Sequence, residues 1–167
     1  MENRLDLIEF NNDYLDDLYE YSSQEDFYKY MQSNPHKSIE ETKKYFLSKT
    51  LEANTFLFLV RISKLNKVVG SVIINKFDEL NLSANIGYGI NPKYWGNGYL
   101  SELLSLAEIK AKHEIGIQRI EAVTMNINQS SINGLKRSGY KEVGKIKGYY
   151  LFSNKQRYDA LLFSKLL

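Results

Sequence analysis

The stretch Ile90-Asn91-Pro92-Lys93-Tyr94-Trp95-Gly96-Asn97-Gly98-Tyr99 decides how this chain is read. It is the end of an apolar strand that runs, through a proline and two glycines, into an amphipathic helix. Glycines at such a junction let the backbone turn sharply and leave N–H groups pointing outward. Unpaired amides at a helix N-terminus, with the positive end of the helix dipole behind them, suit an anion such as phosphate. The segment therefore predicts a phosphorylated ligand.

Working outward, the strand before the turn is Ser83 to Ile90. The helix after it carries Leu100, Leu103, Leu104, Ala107 and Ala111 at helical spacing and ends near Gly116. Upstream, Leu5 to Phe10 reads as a first strand and Asp13 to Tyr21 as a helix with Asp13 as N-cap. Ser22 to Lys37 is a polar helical or loop region. Ser38 and Glu41 form a capping box that opens a helix to about Ala53. Thr55 to Ile62 and Lys67 to Phe77 flank a turn at Asn66 and make an antiparallel hairpin, and Asp78 to Leu82 is a further turn. Downstream come a strand from Arg119 to Met125, a helix from about Ser130 to Ser138 stopped by Gly139, and strands from Tyr140 to Phe152 and Arg157 to Leu166. A meander followed by one βαβ unit predicts an α/β fold: a mixed, mostly antiparallel sheet of about seven strands with helices on both faces.

The 167 residues suit a single domain, 1–167, with no repeat or linker. A net charge of +2 spread along the chain argues against a nucleic-acid binder. The sequence has no cysteine, which excludes disulfides, thiolate metal sites and a cysteine nucleophile. No metal site is expected. Met1 to Asp6 has no apolar leader character, and the longest apolar run, Phe56 to Val60, is far too short to span a bilayer. The expectation is a cytoplasmic protein with no membrane partner.

Two familiar phosphate motifs fit poorly. A P-loop needs Gly-x-x-x-x-Gly-Lys-Ser/Thr, which is absent. The dinucleotide fingerprint needs a third glycine where this chain has Ser101, and an acidic residue where it has Thr124-Met125-Asn126.

The stretch Asn85 to Glu102 instead resembles the acetyl-CoA-binding motif of the GCN5-related N-acetyltransferases. Within that family it is similar to the branch that acetylates N-termini of ribosomal proteins, which typically reads Ile-Gly-Tyr, a proline, Gly-x-Gly-Tyr and then Thr/Ser-Glu. A second block, Asn128-Gln129-Ser130-Ser131 followed by Lys136-Arg137-Ser138-Gly139-Tyr140, agrees with the family's Asn-x-x-Ser and Gly-Phe pattern. The order of strands agrees as well, so the resemblance covers essentially the whole chain.

The resemblance implies acetyl-CoA as co-substrate. The pyrophosphate would fall on the backbone amides of Trp95, Gly96, Asn97, Gly98, Tyr99 and Leu100, with Ser101 nearby. The pantetheine arm would pair with backbone near Ile90, and Asn128 would fasten it from the other strand. Many relatives carry, seven residues after that Asn, a Tyr that protonates the leaving thiolate. This chain has Leu135 there, and Ser131 is the polar replacement on the same helix face. Trp95 and Leu100 stand where the family commonly has Gln or Arg and Gly or Ala.

The resemblance further implies direct attack of an amine on the thioester. The amine must be neutral. An α-amino group costs about 1 kcal/mol to deprotonate at pH 7 and a lysine over ~4 kcal/mol, so a site with only a weak base favours α-amines. The expected acceptor is a protein or peptide N-terminus, with a small amine such as a polyamine or aminoglycoside as alternative. A non-catalytic acetyl-CoA-binding module is the rival from another class. Among single residues, His36 stands in a loop that could line the acceptor cleft, and His113 reads as a surface residue. Tyr88 reads as core packing, Trp95 as covering either the cofactor or the loop's underside, and Lys136 and Arg137 as surface charge or contacts to the 3′-phosphate. The two long C-terminal strands offer edges that could pair in a homodimer.

Overall fold

A computed structural model describes residues 4–167, so Met1 to Asn3 of the N-terminal stretch lie outside the described residues. Seven strands form one sheet in the order β1-β2-β3-β4-β5-β7-β6. They are β1 (Leu5–Ile8), β2 (Thr55–Ile62), β3 (Lys67–Asp78), β4 (Ser83–Ile90), β5 (Arg119–Met125), β6 (Lys141–Leu151) and β7 (Arg157–Leu166). The helices are α1 (Leu15–Ser22), the one-turn α2 (Glu25–Tyr28), α3 (Ile39–Leu51), α4 (Tyr99–Lys110) and α5 (Gln129–Arg137). Every adjacent strand pair is antiparallel except β4 with β5.

Strand β2 shows why its sequence is apolar without alternation. Leu57 and Leu59 pack on one face against Leu18 and Tyr21 of α1 and Phe46 of α3. Phe58, Val60 and Ile62 pack on the other against Leu103, Leu104 and Ala107 of α4. Both sides of the sheet are covered, so a period of two puts apolar residues on each. Truncating a fully buried leucine such as Leu103 to alanine costs about 2–5 kcal/mol.

Several local expectations are corrected. The first strand stops at Ile8 rather than Phe10. Asn11, not Asp13, caps the following turn: its side chain accepts from the Asp13 N–H, and a 3-10 turn over Asn12–Tyr14 precedes α1. Ser38 does accept from the Glu41 N–H, but the Glu41 carboxylate reaches back to the Lys37 N–H instead of completing the box at Ser38. Helix α4 continues as a π turn over Ala111–Ile115, and Gly116, left-handed at φ 81°, ends it. The segment from Ser22 to Lys37 contains α2, whose Phe27 ring packs against Tyr21.

Two backbone features shape the end of the sheet that leads into the glycine turn. The register of β2 with β3 shifts between Val60 and Arg61, which leaves Val69 as an extra residue. The Val69 carbonyl accepts the Asn91 N–H at 2.7 Å, tying the start of the glycine turn to this bulge. Gly70 pairs with Ile90 at the same place, and a Cβ there would stand 2.3 Å from the Gly89 carbonyl oxygen. Only glycine allows that approach. Strands β4 and β5 pair in parallel through Ser83↔Arg119, Ala84↔Ile120 and Asn85↔Glu121, and then part. A gap therefore opens between their C-terminal halves, with the glycine turn at its head.

Candidate active site

Asn91, fully buried, begins the turn and uses all its polar groups. Its Oδ1 accepts from the Lys93 N–H, its Nδ2 donates to Glu20 Oε1, and its carbonyl accepts from the Tyr94 N–H. Pro92 then starts a 3-10 turn through Tyr94, and Gly96 and Gly98 both adopt left-handed backbone, at φ 80° and 74°. The motif contains Asn91, yet nothing in its spacing marked it as the anchor.

Beyond that anchor, no acceptor is found among the described residues for the N–H groups of Gly96, Asn97, Gly98, Tyr99, Leu100 and Ser101. That cluster, at the N-terminus of α4, is where an anion is stabilised by amides and helix dipole together. The Trp95 amide does not join it, because it donates to the Pro92 carbonyl within the 3-10 turn. Trp95 acts through its side chain: the indole Nε1 donates to the Ile90 carbonyl at 2.7 Å. The ring thus covers the end of β4, where the arm of a coenzyme was expected to pair.

One cleft of about 1120 Å³ joins the turn to the gap and to the helical segment beyond. Of the residues singled out in the sequence, Ile90, Trp95, Gly96, Gly98, Tyr99, Leu100, Ser101, Asn128 and Ser131 all line it. Asn97 does not. Its side chain folds back to donate to the carbonyls of Tyr94 and Trp95. Across the gap, Asn128 caps α5, its Oδ1 accepting from the Ser131 N–H at 3.2 Å. Arg137 lines the cleft as well, whereas Lys136 lies 3.7 Å from Glu142. His113 is exposed.

Tyr88, read above as packing, takes a larger part. Its hydroxyl lies 2.9 Å from the Ser131 Oγ inside the cleft, so the two are hydrogen-bonded across the gap between β4 and α5. Burial pushes the Tyr88 hydroxyl up to about 12, with the Ser131 hydrogen bond only partly offsetting it. The Tyr88 hydroxyl therefore keeps its proton at neutral pH. Leu135, by contrast, is fully buried in the core and does not reach the cleft. The alternation of Ile86, Tyr88 and Ile90 on one face of β4 was the available signal. It could not distinguish a tyrosine whose ring packs from one whose hydroxyl reaches a serine.

The far end of the cleft is built from side chains. Tyr21, Phe27, Tyr28, His36, Tyr45 and Phe46 line it, with Asp26 and Glu41 among them. Phe27 presses on Gly89, where an added Cβ would fall 2.5 Å from its ring. Tyr28 and Tyr45 flank His36, with ring centroids 6.1 and 5.3 Å away. The Thr42 hydroxyl donates to the Ser38 carbonyl and lies 2.9 Å from His36 Nδ1. Burial holds His36 below its ordinary pKa, opposed by Glu41. At neutral pH the ring is uncharged.

Among the described residues, no group of acidic, histidine or cysteine side chains could hold a metal ion, and no helix is long and apolar enough to cross a membrane.

Comparison with known proteins agrees with this geometry. The acetyltransferase (GNAT) domain family matches residues 4–141. An uncharacterised N-acetyltransferase of Bacillus subtilis strain 168, YoaA, is 29% identical over 98 residues, 59% of this chain and 55% of that protein. That match therefore spans about half the relative's length. The spermidine N-acetyltransferase of Vibrio cholerae, solved with CoA and spermine, superposes with a TM-score of 0.86 at 17% identity, covering 99% of this chain and 96% of that one. The ribosomal-protein-S5-alanine acetyltransferase of Vibrio fischeri gives 0.84 at 18% identity, with 99% and 94% covered. At these identities the structures speak for the fold alone. Because the family match takes in the parting strands, the glycine turn and helix α5 alike, the chain belongs to the GNAT acetyltransferase family.

Proposed function

We propose that the protein transfers the acetyl group of acetyl-CoA directly to a primary amine, first the α-amine of a protein N-terminus. The observation that carries this is the junction of two unlike walls in one cleft. Unpaired amides at the head of α4 line one end, and an aromatic wall lines the other beyond the gap. The unpaired amides and the opening after Asn85↔Glu121 fit the donor substrate: the turn holds its phosphates and the gap admits its arm. Asn128 and Ser131 edge that gap.

In this reading, the amine nitrogen bonds to the thioester carbonyl carbon as the carbon–sulfur bond breaks. The Tyr88–Ser131 pair donates a hydrogen bond to the departing sulfur. The proton lost by the amine passes, directly or through water, to a neutral acceptor such as the His36 imidazole. An α-amine asks about 1 kcal/mol for that proton at pH 7, within reach of a weak base, where a lysine asks over ~4 kcal/mol.

A second reading is a small polycationic amine, favoured by Asp26 and Glu41 beside the rings of Tyr28 and Tyr45. Carboxylates and aromatic faces both attract cations. Thiol release from acetyl-CoA decides between them, measured with peptides bearing free α-amines, N-terminally blocked lysine peptides and polyamines. Turnover confined to the first set supports the α-amine, and turnover confined to polyamines sinks it. CoA binding without turnover on any panel would instead support a binding module.

A further inference from the structure

We infer that Arg4, held by Glu102, is a positioning residue that sets the glycine turn for the pyrophosphate. The inference rests on the reading that this turn binds acetyl-CoA. Arg4 stands just before β1, 98 residues away in sequence from the glutamate it meets. One carboxylate oxygen of Glu102 accepts the backbone N–H groups of Arg4 and Leu5, at 2.6 and 2.9 Å. The other accepts the Arg4 Nε at 2.9 Å. So fixed, the guanidinium donates to the Asn97 carbonyl at 3.1 Å and lies 4.7 Å from the centre of the Tyr99 ring.

The consequence lies in what the turn shows to the cleft. A carbonyl oxygen carries partial negative charge and repels phosphate, whereas an N–H attracts it. Asn97 uses its amide group to hold the carbonyls of Tyr94 and Trp95, and Arg4 holds the carbonyl of Asn97. With three carbonyls committed to donors, the turn presents its unpaired amides. Gly96 and Gly98 would otherwise give this backbone wide freedom, and ordering it on binding costs affinity. Arg4 also neutralises Glu102, which sits in the first turn of α4 and would compete with a phosphate for the same positive potential.

The test is titration calorimetry with CoA on the wild-type chain, Arg4→Met and Arg4→Lys. Methionine keeps a long side chain beside Tyr99 and removes every side-chain donor while the backbone N–H to Glu102 remains. It should weaken CoA about tenfold, while inhibition by pantetheine, which lacks the pyrophosphate, stays unchanged. Lysine keeps a cation that cannot serve Glu102 and Asn97 together, and should lose about threefold to fivefold. CoA affinity equal to wild type in either folded variant overturns the inference. So does an equal loss for CoA and pantetheine, which would mark general damage. A wild-type chain that fails to bind CoA overturns the reading of the turn itself, and this inference with it.

Discussion

The two ends of the cleft are made of different material. At the glycine turn the unpaired groups are backbone amides, and the side chains of Asn91, Asn97 and Arg4 serve to hold that backbone. At the α1–α3 end the lining gathers an aromatic cluster with two carboxylates and one imidazole. A backbone site depends on a few positions where no other residue fits. A side-chain site changes its preference with each substitution.

The strongest way to break the contrast is at the backbone end. Gly98 sits at φ 74°, and valine there would force a β-branched residue into left-handed backbone while displacing the amides around it. The expected loss of CoA affinity for Gly98→Val is at least about 100-fold, or ~2.7 kcal/mol, by calorimetry. Binding within a few-fold of wild type would show that the turn is not where the coenzyme is held.

At the junction of the two ends, Tyr88→Phe removes the hydroxyl that meets Ser131 and leaves the ring in place. The turnover number should fall about 10- to 100-fold with little change in CoA affinity. A Ser131→Ala variant should fall less, since Tyr88 keeps its own proton. Because Tyr88 lies near 12, neither variant should shift a pH–rate break between pH 6 and 9. An equal loss in CoA affinity would move Tyr88 from the chemistry to the binding surface.

The smallest effect belongs to the side-chain end. His36 is held by burial below its ordinary value, which in the unfolded chain is near 6.5. As pH falls through that value the unfolded chain takes up a proton that the folded chain refuses, so stability declines toward acid. Wild-type protein should therefore lose more of its melting midpoint between pH 7.5 and 5.5 than His36→Gln does. The carboxylates held low, Glu20, Glu40, Asp78 and Asp159, have ordinary values of 4.5 or below, beneath this window. Parallel losses would mean that His36 is not the group responsible.

Much of the fold was legible because its signals are local. β2, β4, β5 and β7 begin and end where their apolar runs and turn residues place them, and the change from a meander to a βαβ unit follows from the switch of period at Tyr99. The glycine turn was legible for the same reason: Gly96 and Gly98 stand between an apolar strand and a helical period, and both adopt left-handed backbone. Misreadings occurred where two local solutions compete. Asn11 and Asp13 are both good caps, and the 3-10 turn between them chose Asn11.

The sequence by itself determined that a strand, a glycine turn and a helix follow one another, because apolar period and glycine punctuation are local signals; Val69 and Arg4, distant in the chain, tie the turn in place. Only the tertiary structure decided that β4 and β5 part after three pairs, and that Tyr88 meets Ser131 from 43 positions away. It also decided that Arg4 reaches Glu102 and that Phe27, His36 and Tyr45 face the same gap. These are contacts between segments distant in the chain. Their existence depends on how sheet and helices pack, and no local spacing encodes that.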